Sequence, residues 1–316
     1  MAAPIGGSSS RACQGDRPPV APVLTYELRA GAFPGSSHPD VAVHVPSGFD
    51  ATRRPGLVVY LHGWWGCIAN ALDADDGPCS EGGPIRPAAD LARSVDEAHV
   101  NALLVAIELR PDMPTGEPGQ LAMPGGLRAL LRELFTGPLA GTLGCTLDVD
   151  ALDRVVLVAH SGGYQAAASA LTLGDVPRVT ELDLLDALYG GDASFFRWFE
   201  SEITRFDPLT NDSLRLVDLY TCCGGTADRS RALARRTQQA LASAGLSRSF
   251  SESALTGGAV VFKEVTQPHG DLPRTYLRAL VLAAGFARRS PSSSPSRDGH
   301  AGAHTGADES HSLRLN

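Results

Sequence analysis

The stretch RVVLVAHSGGYQAAASAL occupies residues 154–171. Its apolar run, residues 155–159, leads straight into His160-Ser161-Gly162-Gly163, and alanines follow almost at once. A connection between a strand and a helix normally holds several polar, flexible residues. Here the junction is a few residues long, with a hydroxyl at its centre. The run before it reads as a strand buried on both faces. The alanine-rich segment after it reads as a helix. So abrupt a turn strains the backbone at its tip and demands small residues on either side. Ala159 and Gly163 meet that demand.

Outward from this junction, short apolar runs alternate with helical patterns. PVLTYELRA (22–30) and DVAVHVPSGF (40–49) alternate apolar and polar residues, which predicts two half-buried antiparallel strands. PGLVVYLHG (55–63), HVNALLVAIEL (99–109), VTELDLLDALYG (179–190), LRLVDLYTCCGG (214–225) and AVVFKEVTQPHG (259–270) are continuous runs, expected to be central strands. Helical spacing marks GGLRALLRELFTGPL (125–139), with Leu127, Leu130, Leu131 and Leu134 on one side. FFRWFESEI (195–203), SRALARRTQQALASAG (230–245) and LPRTYLRALVLAAGF (272–286) are further helices, the second with Gly245 as its cap. Two meandering strands followed by strand–helix units predict an α/β fold, its central sheet mostly parallel with helices on both faces. Functional residues of such sheets collect at the carboxyl ends of the strands. No internal repeat and no second core are legible.

The 316 residues fit one large domain, residues 22–287, between a Gly/Ser/Pro-rich leader, 1–21, expected to be flexible, and a Ser- and Gly-rich tail, 288–316, expected to be disordered. His300, His304 and His311 lie in that tail and read as solvated linker. The net charge of −8 gives no reason to expect nucleic acid or an anionic membrane as partner. No stretch is apolar for the length of a membrane span. The start of the chain shows no signal peptide as written. The six cysteines form no C-x-x-C pair, so no metal is expected, and no cofactor motif is present. Cys67 and Cys79 bracket a loop rich in Asp, Gly and Pro and are expected to be bonded, which favours an extracytoplasmic setting.

Ala159-His160-Ser161-Gly162-Gly163 fits the nucleophile-elbow pattern, with Ala at the first glycine. A serine at the tip of such a turn stands above the sheet at a helix N-terminus, where developing negative charge is stabilised. A serine hydroxyl needs a base. The elbow's chain order of serine, acid, histidine leaves His269, since every other histidine precedes Ser161 or lies in the tail. Two carboxylates compete as the acid. Asp186 ends a buried strand, where a carboxylate is costly without a partner. Asp228 follows the next strand, in a sequence that equally suits a helix cap or first-turn charge. His62-Gly63 after the first buried strand places the Trp64 N–H beside that of Gly162 as oxyanion donors. His62, Gly63 and Trp65 then border the substrate pocket, and at least one of Trp64 and Trp65 is expected to pack under the Cys67–Cys79 loop. Residues 63–90, 109–125 and 188–212 are the expected pocket walls, with RPDMPTGEPGQLAMPGG (110–126) either a lid or a long loop.

Over residues 40–287 these motifs resemble the α/β-hydrolase fold superfamily of serine-hydrolase type. HSGGY, LLDALYGG and GGT are similar to a poorly characterised bacterial group of serine-hydrolase-like proteins, many of them exported. That resemblance implies an α/β-hydrolase fold and supports Asp186 over Asp228, because the group keeps the Asp of DALYG and often lacks one after GGT. The absent signal peptide departs from it. The expectation is cleavage of a small-molecule carboxylic ester through an acyl-enzyme. An amide substrate for the same residues, or a hydrolase-shaped binding protein with a silent site, stays open.

Overall fold

A computed structural model describes Cys13 and residues 23–289, except 112, 115, 211 and 257. The leader apart from Cys13, the tail from residue 290 and its three histidines lie outside the described residues. The strands are β1 (Leu24–Tyr26), β2 (Val41–His44), β3 (Gly56–Leu61), β4 (Gly77–Pro78), β5 (Ile85–Arg86), β6 (Ala102–Ile107), β7 (Val155–His160), β8 (Val179–Leu185), β9 (Arg215–Thr221), β10 (Phe250–Ser251) and β11 (Val260–Val265). The α-helices are α1 (Ile68–Leu72), α2 (Leu91–Ala98), α3 (Gly126–Thr136), α4 (Pro138–Leu143), α5 (Tyr164–Leu173), α6 (Asp192–Ser201), α7 (Ala227–Ser243) and α8 (Leu272–Ala283).

Nine strands form one sheet in the order β1-β2-β6-β3-β7-β8-β9-β11-β10. From β6 to β10 all neighbours are parallel, while β2 runs antiparallel to both β6 and β1. With the Ser161 strand β7 in the middle, this is the α/β-hydrolase fold. Alternation along each strand feeds two cores. Leu57, Val59 and Leu61 of β3 face one side, with α3, α5, α6 and α7. Val58 and Tyr60 face the other, with α1, α2 and α8. Residues 155–159 of β7 are buried on both faces, as their unbroken apolar run requires.

The structure departs from the sequence reading at β2 and at the end of α3. β2 is buried along its whole length rather than on one face. Val41 and Val43 enter one core, Ala42 enters the other, and His44 meets Asp96 of α2 at 3.0 Å. The helix predicted through residue 139 breaks at Gly137, and α4 restarts at Pro138, a residue that suits a first helical position. The proposed tail start at 288 is paired, since Arg288 bridges Val100 and its guanidinium donates to the Ala98 carbonyl at 2.8 Å. The readings of the α3 leucines and of the end of α7 hold. The four leucines of α3 are fully buried, and Gly245 closes α7 at φ +74°, with Leu246 N–H donating to Leu241 O at 2.8 Å. Cys67 is bonded to Cys79; Cys13–Cys145 and the adjacent pair Cys222–Cys223 are bonded as well.

Candidate active site

Ser161 leaves β7 at φ +52°, a left-handed conformation that non-glycine residues seldom adopt, and opens a short turn into α5. The turn fits because its neighbours lack side chains. A Cβ on Gly163 would lie 2.3 Å from the Leu61 carbonyl of β3, and one on Gly63 would lie 2.6 Å from Ser161 Cβ. The loop after β3 is therefore pressed directly against the serine.

His269 lies in a short turn after β11. Its Nδ1 donates to Asp186 Oδ2 at 2.7 Å, which leaves Nε2 as the ring nitrogen facing away from the acid. Two further contacts hold the residue, one at its backbone and one at its ring. The His160 Nε2–H donates to the His269 carbonyl at 3.0 Å, and the two imidazoles sit 4.8 Å apart. Burial and the neighbouring His269 push His160 down to about 3, so it stays neutral.

Asp186 follows β8 at φ +46° and is wholly buried. Besides His269, it accepts from the Thr221 N–H at 3.1 Å, the Thr221 hydroxyl at 2.8 Å and the Thr226 hydroxyl. Burial works to raise its pKa, but the hydrogen bonds from His269, Thr226 and Thr221 outweigh that and hold it at about 2. Asp228, the competing carboxylate, is elsewhere. It sits fully exposed in the first turn of α7, 3.6 Å from Arg231. Chain order left the two carboxylates open, whereas the structure brings only Asp186 to His269.

The loop 62–66 is organised by a buried ion pair. His62 Nε2 sits 2.7 Å from Glu108 Oε1 and 3.0 Å from the Leu109 N–H, and Glu108 Oε2 accepts from the Ile68 N–H at 3.1 Å. The opposite nitrogen of His62, Nδ1, donates to the Gly63 carbonyl at 2.8 Å, and the Gly66 N–H reaches the same oxygen at 3.2 Å. Burial disfavours the His62 cation, yet the Glu108 carboxylate raises its pKa overall. The Gly63–Trp64 peptide is trans, so pinning its carbonyl toward His62 turns the Trp64 N–H the opposite way.

Trp64 and Trp65 are both substantially exposed. The Trp64 indole covers the Gly162 Cα and stacks on Tyr189 at 6.3 Å, while Trp65 lies under the Arg86 guanidinium at 5.5 Å. Neither is buried under the Cys67–Cys79 loop, because Arg86 of β5 supplies the cover on one and Tyr189 on the other. A cleft of about 290 Å³ is lined by Gly63, Trp64, Trp65, Arg86, His160 and His269. A larger one, about 680 Å³, lies between residues 32–38 and 109–120 and includes Phe33, His38, Arg110 and Met113. Segment 32–38 was not among the expected walls, since nothing in its composition marks it. Tyr189 falls in the expected wall 188–212, but His160, Glu108, Thr221 and Thr226 were also missed. Their parts in the site depend on which strand ends become neighbours. Among the described residues no cluster of His, Cys, Asp and Glu is arranged to hold a metal, and no helix is long and apolar enough to cross a membrane.

No family model matches the chain. No curated protein matches it. Among solved structures, a feruloyl esterase module from Clostridium thermocellum is similar in chain path, with a TM-score of 0.49 and 10% identity over 89% of this chain and 94% of that one. The BES protein from Bacillus cereus gives 0.48 at 9% identity over 87% and 100%. A siderophore hydrolase from Aspergillus nidulans gives 0.41 at 12% identity over 88% and 95%.

Proposed function

We propose that the protein is a serine hydrolase that cleaves a carboxylic ester of a small molecule through an acyl-enzyme. The observation that carries this reading is the 2.7 Å contact of His269 with Asp186, made at the same edge of the sheet where Ser161 stands in a strained turn. In this mechanism Ser161 Oγ attacks the ester carbonyl while His269 Nε2 takes its proton. The Trp64 and Gly162 N–H groups hold the resulting oxyanion. Collapse of the tetrahedral intermediate expels the alcohol, which takes the proton back from His269. Water, activated by the same imidazole, then frees the acid and restores Ser161. Asp186 keeps the proton on Nδ1 and offsets the imidazolium charge, without itself being protonated. Substrate enters past the exposed Trp64 and Trp65 and the half-buried Tyr189, whose rings give an apolar wall beside His62 and Gly63.

Incubation with a fluorophosphonate, followed by a panel of acyl esters of graded chain length, tests the reading. The expected result is one covalent adduct on Ser161 and ester turnover, with both abolished in Ser161→Ala. A protein that is inert to the probe and to every ester has a silent site. Ser161→Ala with wild-type turnover removes the mechanism.

A further inference from the structure

The segment that carries both hydroxyls holding Asp186 is short and unusual in composition. Thr221 ends β9 and Thr226 precedes α7, and only Cys222, Cys223, Gly224 and Gly225 lie between them. The loop wraps the carboxylate so tightly that a Cβ on Gly224 would sit 2.6 Å from Asp186 Oδ2. Gly225 takes φ +88°. Glycine is thus needed at 224 and favoured at 225, yet two adjacent glycines give a connection the greatest freedom to wander. That freedom opposes the task of keeping two threonine hydroxyls on the two oxygens of one acid.

The two residues before the glycines are joined to each other through their side chains, Cys222 to Cys223. Both are exposed, so the bond adds nothing to either core. It links neighbours in sequence and closes no long loop, so it contributes little by the chain-entropy route that stabilises ordinary disulfides. Its covalent effect is local. An eight-membered ring restricts the backbone of both cysteines and so sets the direction in which the chain enters Gly224.

We propose that the Cys222–Cys223 disulfide is a positioning element for the acid of the active site, holding the 221–226 loop so that Thr221 and Thr226 stay on Asp186. Opening the ring by a dithiol frees the loop and lowers turnover. One thiolate of the reagent attacks a cysteine sulfur, forming a mixed disulfide and expelling the other cysteine as a thiol once protonated. The second reagent thiol then displaces the first cysteine, so the reagent is oxidised to its cyclic disulfide and two electrons reach the pair. This inference rests on the assignment of Asp186 made above.

The experiment compares the oxidised full chain with Cys222→Ser/Cys223→Ser, since a reductant also reaches the other two disulfides. Non-reduced peptide mapping comes first, and free thiols at both positions overturn the proposal. The double variant is expected to lose about ten- to a hundredfold in kcat per titrated serine with KM unchanged, the scale of a small misplacement of a catalytic group. A merely structural bond gives a lower unfolding midpoint with unchanged kcat per active site, which overturns it. Thr226→Val supplies the second reading. If the ring acts through that hydroxyl, removing it in the Thr226→Val background costs much less than in the wild type, and fully multiplicative losses count against it. A wild type inert to fluorophosphonate defeats the hydrolase reading alone. The far-downfield proton resonance of His269 Nδ1–H then decides: its shift or loss in the double variant supports the positioning role, and an unchanged resonance rejects it.

Discussion

At the scale of single residues, the two aspartates separate by environment. Asp186 is buried with four hydrogen-bond donors, and Asp228 is bathed in solvent. Asp186→Asn is expected to lower kcat by about 10³–10⁴-fold, because an amide favours the wrong imidazole tautomer. Asp228→Asn is expected to leave kcat within about twofold, as a change remote from the reacting atoms should. Steady-state kinetics on the two variants check this, and the reverse order would move the acid to α7. Glu108 acts one step further away. Glu108→Gln weakens the hold on His62, and through it on the Gly63–Trp64 peptide, so kcat should fall by about 10–100-fold, up to the loss of one oxyanion donor. The same variant has a stability signature. The His62 pKa is raised on folding, so the pair stabilises the protein below the ordinary histidine pKa and loses that effect as pH rises through the raised value. The gap in unfolding midpoint between wild type and Glu108→Gln should narrow with increasing pH.

Elements behave as their contacts dictate. The disulfide Cys67–Cys79, twelve residues apart, ties the start of α1 to the loop 73–90 beside the cleft. Cys67→Ser/Cys79→Ser should cost about 3 kcal/mol on the chain-entropy view, measurable by denaturant unfolding. The cleft wall made by Trp65 and Arg86 depends on that tie, so KM for esters should rise more than kcat falls. The wider ring, Cys13–Cys145, spans 132 residues and fastens Cys13 to the segment just after α4, so it belongs to the stability of the whole domain.

The molecule as a whole carries a buried carboxyl that the chemistry does not use. Asp218 of β9 is fully buried, and burial pushes it up to about 7, against the weaker pull of Ser230, whose hydroxyl stays outside hydrogen-bond geometry. A carboxyl protonated in the folded state and ionised in the unfolded one favours unfolding increasingly as pH rises from its ordinary value toward 7. Asp186 has the opposite sign. It stabilises above the ordinary carboxylate pKa, and that contribution fades as pH falls toward about 2. Stability is therefore expected to peak on the acid side of neutral. Asp218→Asn removes the first effect, so thermal scans should show it matching wild type near pH 4 and exceeding it near pH 8. Parallel curves across that range would mean Asp218 ionises freely in the folded chain.

The run 154–171 was enough to place a strand, a strained turn and a helix in order, because a continuous apolar segment ending on Ser-Gly-Gly admits few other backbones. The parallel sheet and His269 followed from periodicity and chain order. The short strands β4, β5 and β10 were not legible, since two-residue pairings leave no pattern. Nor was the full burial of β2, which depends on helices distant in sequence closing over it. At the site, the split was the same. Residue types and their order named Ser161, His269 and a pair of aspartates. The buried strand end and the family resemblance already favoured Asp186 over Asp228, and the pairing of β8 with β9 supplies the physical ground, since Thr221 and Thr226 reach Asp186 from the adjoining strand end. Local sequence governs backbone preference over a few residues. Which carboxylate receives donors, and which is left to water, is settled by strand order, a long-range property that packing of the two cores decides.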